Sequence, residues 1–314
     1  MGIPLRPGLH YSRTMIRIGV DFGGTKIEVA ALDESGLLVA RTRAANPGNY
    51  DGSLEVVSGL VKDVEARLGV SGATVGFGVP GSTSPKTGRM RNANSVWLND
   101  KPFHQDLERI LERPVRLEND ANCFALSEAH GGAADGARVV FGAILGTGCG
   151  GGVVVDGQTV GGRNHIGGEW GHTPLPWQTR DEFDAHRCWC GRINCLETWI
   201  SGTALGVEYQ RATGAPSTAQ AVVAAARGGQ PAAIDVFESW VERLGRAFAV
   251  ICDVIDPDVI VCGGGMSNVA ELYDKVVPAI RRYVFSDVFT TPVVPALHGD
   301  SSGVRGAAWL WPLE

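Results

Sequence analysis

The residues best equipped for chemistry lie between Gly168 and Glu197. The segment opens with Gly168-Glu169-Trp170-Gly171-His172 and closes with Cys188-Trp189-Cys190-Gly191-Arg192-Ile193-Asn194-Cys195-Leu196-Glu197. Cys-x-Cys-x4-Cys with one upstream histidine offers three sulfurs and one nitrogen, the donor set and number that tetrahedral zinc takes in a closed structural site. The alternative is a set of reduced thiols packed as small hydrophobes. Three thiols within eight residues, among polar and turn-forming neighbours, favour the metal. Glu169 and Glu197 bracket the set; paired carboxylates accept well from the hydroxyls of a polyhydroxylated ligand, and otherwise serve as surface or capping acids.

A second candidate is Asp120, in Glu118-Asn119-Asp120-Ala121-Asn122, directly after the apolar alternation Val115-Arg116-Leu117. Acids at strand ends face the ligand crevice of open α/β sheets. Asp120 is either a base, with Asn119 and Asn122 as orienting amides, or the cap of a helix that begins at Ala121; residue type leaves both open. Two glycine loops follow strands in matching contexts, Gly23-Gly24-Thr25-Lys26 and Gly146-Thr147-Gly148. Glycine exposes backbone N–H groups without a Cβ in the way, and the threonine hydroxyl and lysine ammonium add further donors for anionic oxygens. Neither loop has the Gly-x4-Gly-Lys-Ser/Thr order of a Walker P-loop. A third run, Gly263 to Gly265, would let a flat ring approach the backbone.

The elements that must carry these groups are legible from periodicity. Ile16, Ile18 and Val20 alternate with polar or small residues as a strand; Ile27–Leu32 continues past the glycine loop, and Asp33-Glu34-Ser35-Gly36 turns into Leu37–Ala40. Val139–Leu145, the second glycine loop, Val153–Val155 and an Asp156-Gly157 turn repeat this design, which predicts two similar halves. Leu54, Val57, Val61, Val64 and Leu68 recur at helical spacing up to Gly69, and a long core helix runs through Ile234, Phe237, Val241, Leu244, Phe248 and Ile251. Strands are expected at Val75–Val79 and Val259–Cys262, a short helix near Leu107–Leu111 and a terminal helix over Gly303–Leu310. No low-complexity linker is visible, so the chain is expected to cross between lobes near residues 122 to 130.

The chain has 314 residues, is 44% apolar and 20% charged, and carries a net charge of -6, values of a soluble globular protein with room for two domains. That charge offers no basic footprint for nucleic acid or anionic membrane. Seven cysteines, three of them with metal spacing, point to a reducing, cytoplasmic setting; Cys123, Cys149, Cys252 and Cys262 read as packing residues. No apolar run is long enough to span a bilayer. Met1–Thr14 lacks the apolar core of a signal peptide and reads as an extension, with Met15 an alternative start.

Taken together, Asp21-Phe22-Gly23-Gly24-Thr25-Lys26, Glu118–Asn122, Gly146-Thr147-Gly148, Glu169-Trp170-Gly171-His172 and Cys188/Cys190/Cys195 resemble the ROK family of bacterial sugar kinases and sugar-responsive repressors, from about residue 16 to the C-terminus. Asn92–Ser95, Pro174–Trp177 and Gly299–Gly306 are most similar to its fructokinase/mannokinase type. The resemblance implies an α/β protein of the actin-like, ribonuclease-H-like ATPase fold, with a lobe over 15–122, a second lobe over 123–298 holding the zinc loop, and a helix over 299–314 returning to the first. It implies ATP, Mg2+ and a structural Zn2+, a homodimer, and transfer of the γ-phosphate to the 6-hydroxyl of fructose or mannose; glucose and N-acetylglucosamine are the alternatives. By the same resemblance Asp120 is the base; Asn119, Glu169, His172, Glu197, Gly81 and Asn94 hold the sugar. Asp21, Gly23, Gly24, Thr25, Lys26, Thr147, Gly148 and Gly264 hold the nucleotide, and His172, Cys188, Cys190 and Cys195 bind zinc. A repressor of this family would place a DNA-binding domain ahead of the strand that leads into the first glycine loop, where about fifteen residues stand. One departure is Asn194, where the family has Gly before the third cysteine; Asn tolerates the left-handed conformation best among non-glycine residues, so the metal loop is expected to keep its shape.

Overall fold

The computed structural model describes residues 15–183 and 186–312, so the expected extension Met1–Thr14 lies outside the described residues. The chain begins with β1 (Arg17–Phe22), β2 (Lys26–Leu32) and β3 (Leu38–Ala45), then α1 (Tyr50–Leu68), β4 (Thr74–Val79), a small hairpin of β5 (Ser82–Thr83) and β6 (Met90–Arg91), α2 (Phe103–Leu111), β7 (Val115–Asn119) and α3 (Asp120–Ala129). It continues with β8 (Val139–Leu145), β9 (Cys149–Val155), β10 (Gln158–Thr159), α4 (Glu197–Ile200), α5 (Gly202–Thr213), α6 (Ala219–Arg227), α7 (Pro231–Ile255), β11 (Val259–Gly263), α8 (Ala270–Arg281), β12 (Val293–Pro295) and α9 (Ser302–Trp309). Among the described residues no helix is long and apolar enough to cross a membrane.

The expected repetition is present in the topology. One five-stranded sheet has the order β3-β2-β1-β4-β7 and another the order β10-β9-β8-β11-β12. Each is a meander whose first strand also pairs in parallel with a later one: β1 with antiparallel β2 and parallel β4, β8 with parallel β11. Parallel pairing needs a crossover, which α1 supplies between β3 and β4 and α7 supplies before β11.

The chain divides into two compact units, one of residues 1–136, 152–167 and 300–314, the other of 137–151 and 168–299. This differs from an expected single crossing near 122–130. The first unit keeps α3, because α3 packs on α9 and on β4 and β7, and it takes back the strand segment from Gly152.

α9 lies against β1, β4 and α3 of the first unit, and glycines make that close approach possible. A Cβ on Gly19 would stand 1.9 Å from the Val304 carbonyl oxygen, one on Gly76 1.9 Å from that of Ala307, and one on Gly306 1.7 Å from that of Cys123. Backbone cannot yield as a side-chain tip can. Gly19→Ala is therefore expected to destabilise the protein by roughly 3 kcal/mol or more, read as a lower midpoint in urea unfolding. Arg17 stacks on the Trp309 ring at 3.6 Å, and Trp311 donates its indole N–H to the Val75 carbonyl at 2.8 Å, so the end of the chain is anchored by contacts of several kinds.

In the second unit, α7 is the central helix, with Trp240, Leu244 and Phe248 buried. Its Arg246 is also buried, 2% exposed, and with Arg243 forms a fork around Glu182 at 2.8 Å each. Burial alone would raise the Glu182 carboxyl, but the hydrogen bonds from Arg246 and Arg243 outweigh it and hold it down to about 2. The effect is to fix the segment that leads into the cysteine loop, since Arg246 also donates to the carbonyls of Pro176 and Trp177.

Candidate functional site

In the first unit β1 ends at the glycine loop. Gly23 N–H donates to the Lys26 carbonyl at 3.0 Å, the Asn46 side-chain amide donates to the Gly23 carbonyl at 2.8 Å and its backbone N–H to the Thr25 carbonyl at 2.9 Å, and Gly24 and Thr25 are exposed. Asp21 sits one turn of strand earlier. Burial pushes its carboxyl up to about 6; Glu28 adds to the rise and Lys26 opposes it. A Cβ on Gly303 would come within 3.2 Å of that carboxyl, so the first turn of α9 closes over it.

β7 delivers the acid. Asn119 caps α3: its side-chain oxygen accepts from the Ala121 N–H at 2.9 Å, and Asp120 Oδ1 accepts from the same N–H at 2.8 Å. The capping role considered for Asp120 is thus already filled by its neighbour. The Asn119 amide donates to the Gly81 carbonyl at 3.3 Å, and Gly81 has φ +73°, so the structure brings these two predicted residues together. Asn94 lies on an exposed bend. Asn122 is buried and turns its amide to Glu118 Oε1 at 3.0 Å and the Gly167 carbonyl at 3.3 Å.

Glu118 is a residue that sequence reasoning passed over. Its carboxylate accepts from the Asn119 N–H at 2.8 Å as well as from Asn122, and so locks the turn that presents Asp120. Its place in the Glu-Asn-Asp-Ala-Asn run was the available signal. Cys123, fully buried beneath, is pushed well up by burial and further by Glu118, Asp120 and Asp21, which shows three carboxylates sharing one neighbourhood.

In the second unit β8 runs into Gly146-Thr147-Gly148, and β9 already begins at Cys149, so the loop is shorter than the glycine run 146–152 suggests. Gly202 N–H donates to the Gly146 carbonyl at 2.7 Å. Gly264 has φ +80°, and a Cβ there would meet the Leu145 carbonyl at 2.6 Å. Beside the loop is a cavity of about 530 Å³ lined by Thr147, Gly202, Thr203, Gln210, Gln220, Gly265 and Met266. That is adequate for a purine nucleoside. Gln210 and Gln220, on α5 and α6, are further residues the sequence did not single out. The larger cavity, about 1060 Å³, is lined by Glu182, Glu208, Glu242, Arg243 and Arg246, whose charges pair with one another.

The cysteine loop gathers as its spacing predicts. One donor atom from each of His172, Cys188, Cys190 and Cys195 falls within 4.8 Å of every other. His172 Nδ1 lies 3.6 Å from Cys188 Sγ, and Cys190 Sγ lies 3.6 Å from Cys195 Sγ. A tetrahedron with Zn–S near 2.3 Å and Zn–N near 2.0 Å has edges of about 3.5–3.8 Å. Burial pushes the Cys188 thiol up and that of Cys195 up to about 12, so thiolates at these two positions would need a cationic partner, the role a divalent ion could fill.

Asn194 adopts φ +57°, the left-handed conformation expected of it. The side chain contributes more than tolerance. Its oxygen accepts from the His186 N–H at 3.0 Å and its amide donates to the Glu182 carbonyl at 2.6 Å, tying the metal loop to the buried Glu182–Arg246 pair. Asn194→Gly keeps the turn but loses both bonds, and should cost roughly 1–2 kcal/mol in chemical denaturation.

Glu197 opens α4 and joins two functional loops. Its Oε2 accepts from the Cys149 N–H at 3.0 Å, its Oε1 from the Trp189 indole at 2.7 Å, and a Cβ on Gly148 would lie 2.6 Å from Oε2. Glu169 is exposed immediately before the short turn Trp170–His172. Trp170 anchors that turn by donating to the Gly150 carbonyl at 2.8 Å and stacking on Phe248 at 5.4 Å.

Glycine loops after strands, and an acid following β7, are groups suited to phosphoryl transfer. Residues 17–314 match the model of the ROK family, and the chain belongs to that family. It is 39% identical to the N-acetyl-D-glucosamine kinase of Vibrio cholerae over 297 residues, 93% of this chain and 98% of the relative. It is 37% identical to the N-acetyl-D-glucosamine kinase of Pectobacterium atrosepticum, covering 93% and 97%. Among solved structures, the ROK hexokinase of Thermus thermophilus superposes with a TM-score of 0.85 at 31% identity, covering 94% of this chain and 97% of that one. A ROK glucokinase of Streptomyces griseus, solved with glucose and AMPPNP, superposes at 0.74 with 28% identity, covering 93% and 98%. The fold is the actin-like ATPase fold.

Proposed function

We propose that this protein is an ATP-dependent N-acetylglucosamine kinase that phosphorylates the 6-hydroxyl. The observation that carries the choice of sugar is the identity of 39% over 93% of the chain with a kinase of that sugar. This replaces the expectation of fructose or mannose, which rested on short stretches such as Asn92–Ser95. The acids that accept sugar hydroxyls do not distinguish epimers, and whole-chain similarity weighs more.

In this reading Glu169, His172 and Glu197 accept from and donate to the sugar hydroxyls, and Asn119, Gly81 and Asn94 are further sugar-binding candidates. Asp120 takes the proton of the attacking hydroxyl. Gly23, Gly24, Thr25, Lys26, Thr147 and Gly148 cradle the phosphates, and Gly264 with the 530 Å³ cavity takes the adenosine. The half-buried Asp21 carboxyl, at the end of β1 before the glycine loop, fits a group that would hold the nucleotide's Mg2+, which when bound neutralises phosphate charge. His172, Cys188, Cys190 and Cys195 hold Zn2+, which ties the His172 turn to the cysteine loop and so fixes Glu169 and Glu197.

A coupled ADP-release assay across N-acetylglucosamine, glucose, mannose and fructose tests the assignment. N-acetylglucosamine should have the highest kcat/KM; a preference for fructose would overturn the sugar assignment, and ADP release with none of the four would overturn the activity.

A further inference from the structure

We propose that Trp189 is a specificity-determining residue of the sugar site, its indole ring forming an apolar wall for the N-acetyl group of the hexose; the inference rests on the sugar-kinase function proposed above.

Trp189 stands between Cys188 and Cys190 in a turn closed by the Cys188 N–H donating to the Arg192 carbonyl at 2.9 Å and the Gly191 N–H to the Cys188 carbonyl at 3.0 Å, so its backbone is held on both sides. Its side chain is 68% exposed, unusual for the largest apolar residue. Yet the side chain is held in place: the indole N–H donates to Glu197 Oε1 at 2.7 Å, and the ring meets His172 edge-on at 5.0 Å with an interplanar angle of 82°. An exposed aromatic already fixed at its backbone, its donor and its edge has little conformational freedom left to lose when a ligand covers it.

The chemistry of what it presents follows. Indole has one hydrogen-bonding group, a donor, and Glu197 takes it, so the outward surface is apolar ring. Glu197 in turn has about four lone-pair positions; Trp189 and the Cys149 N–H fill one on each oxygen, leaving capacity to accept from hydroxyls. Trp189 therefore does two things at once beside His172 and Glu197: it orients a hydroxyl-binding acid and it sets an apolar plate next to polar groups. A hexose with only hydroxyls uses the acid. An N-acetylhexosamine also has a methyl group to place on the plate.

The two roles separate in kinetics. Trp189→Ala removes both, and should lower kcat/KM for N-acetylglucosamine by about tenfold or more, chiefly through KM, while glucose falls less, so that discrimination between them shrinks. Trp189→Phe keeps an aromatic plate and loses the N–H; KM should rise a few-fold on both sugars with their ratio preserved. Zinc content is measured on each variant. A Trp189→Ala protein with full zinc and the parent's ratio of kcat/KM values overturns the inference. Should Trp189→Ala lose zinc, Trp189→Gln decides: a smaller preference for N-acetylglucosamine over glucose with zinc retained supports it, and the parent's ratio of kcat/KM values overturns it. A parent enzyme that does not turn over N-acetylglucosamine would instead refute the proposed substrate and leave the orientation of Glu197 to be read from KM on whichever hexose is accepted.

Discussion

Asp120→Asn is expected to lower kcat by roughly two to four orders of magnitude while the sugar still binds, the range that loss of a positioned general base covers. The substitution separates the two roles open to this residue. Asn is as good a helix cap as Asp and keeps an oxygen at the position that accepts from the Ala121 N–H at 2.8 Å. Asn119 holds the same N–H at 2.9 Å, so α3 has a cap in either case. If Asp120 only capped the helix, the variant would be stable and active. As the base, it leaves the variant stable and inactive, because a carboxamide cannot take the hydroxyl proton. Single-turnover phosphate transfer together with a binding measurement for the sugar checks both halves; wild-type turnover would remove Asp120 from the chemistry. The neighbouring Glu118 sharpens the contrast, since its hydrogen bonds to Asn119 and Asn122 hold the turn without Asp120's help.

The second large effect is expected at the metal loop. Cys190 is exposed, so Cys190→Ser creates no cavity and the consequence is loss of a ligand. Removing one of four donors should abolish stoichiometric zinc. Metal binding to the native state alone stabilises it, so its loss should cost roughly 3 kcal/mol or more, a fall in Tm of about 6–12 °C for a unit of this size. KM for the sugar should rise as well, because His172 and Glu197 are positioned from this loop. Elemental analysis and a thermal scan, with the same scan on parent protein treated with a chelator, check it. Unchanged metal content in the variant would contradict the ligand set.

How much of this was legible in advance depends on the range of the interaction. β1, β2 and β3, the α1 helix ending at Gly69 and the long α7 were readable because alternation and helical spacing are local. The repetition of the two sheets was readable because both halves carry a strand, a glycine loop and a turn in the same order. The clustering of His172 with Cys188, Cys190 and Cys195 was readable because three cysteines within eight residues leave the loop few ways to place them. The conformation of Asn194 was readable from residue type, but not the bonds its side chain makes to Glu182 and His186, which depend on how the loop folds back. The unit boundary was missed because Gly152–Gly167 returns to the first unit, and return of a chain segment is a matter of packing. Glu118, Trp189 with Glu197, and the α5 and α6 walls with Gln210 and Gln220 were missed for the same reason. Their roles exist only once distant segments meet.

The central claim is transfer of phosphate to N-acetylglucosamine, and competition tests it most directly. The purified protein is given ATP, Mg2+ and equal amounts of N-acetylglucosamine, glucose, mannose and fructose, and the sugar phosphates are resolved at low conversion. N-acetylglucosamine 6-phosphate is predicted to lead the products; fructose 6-phosphate in its place, or no sugar phosphate at all, would contradict it.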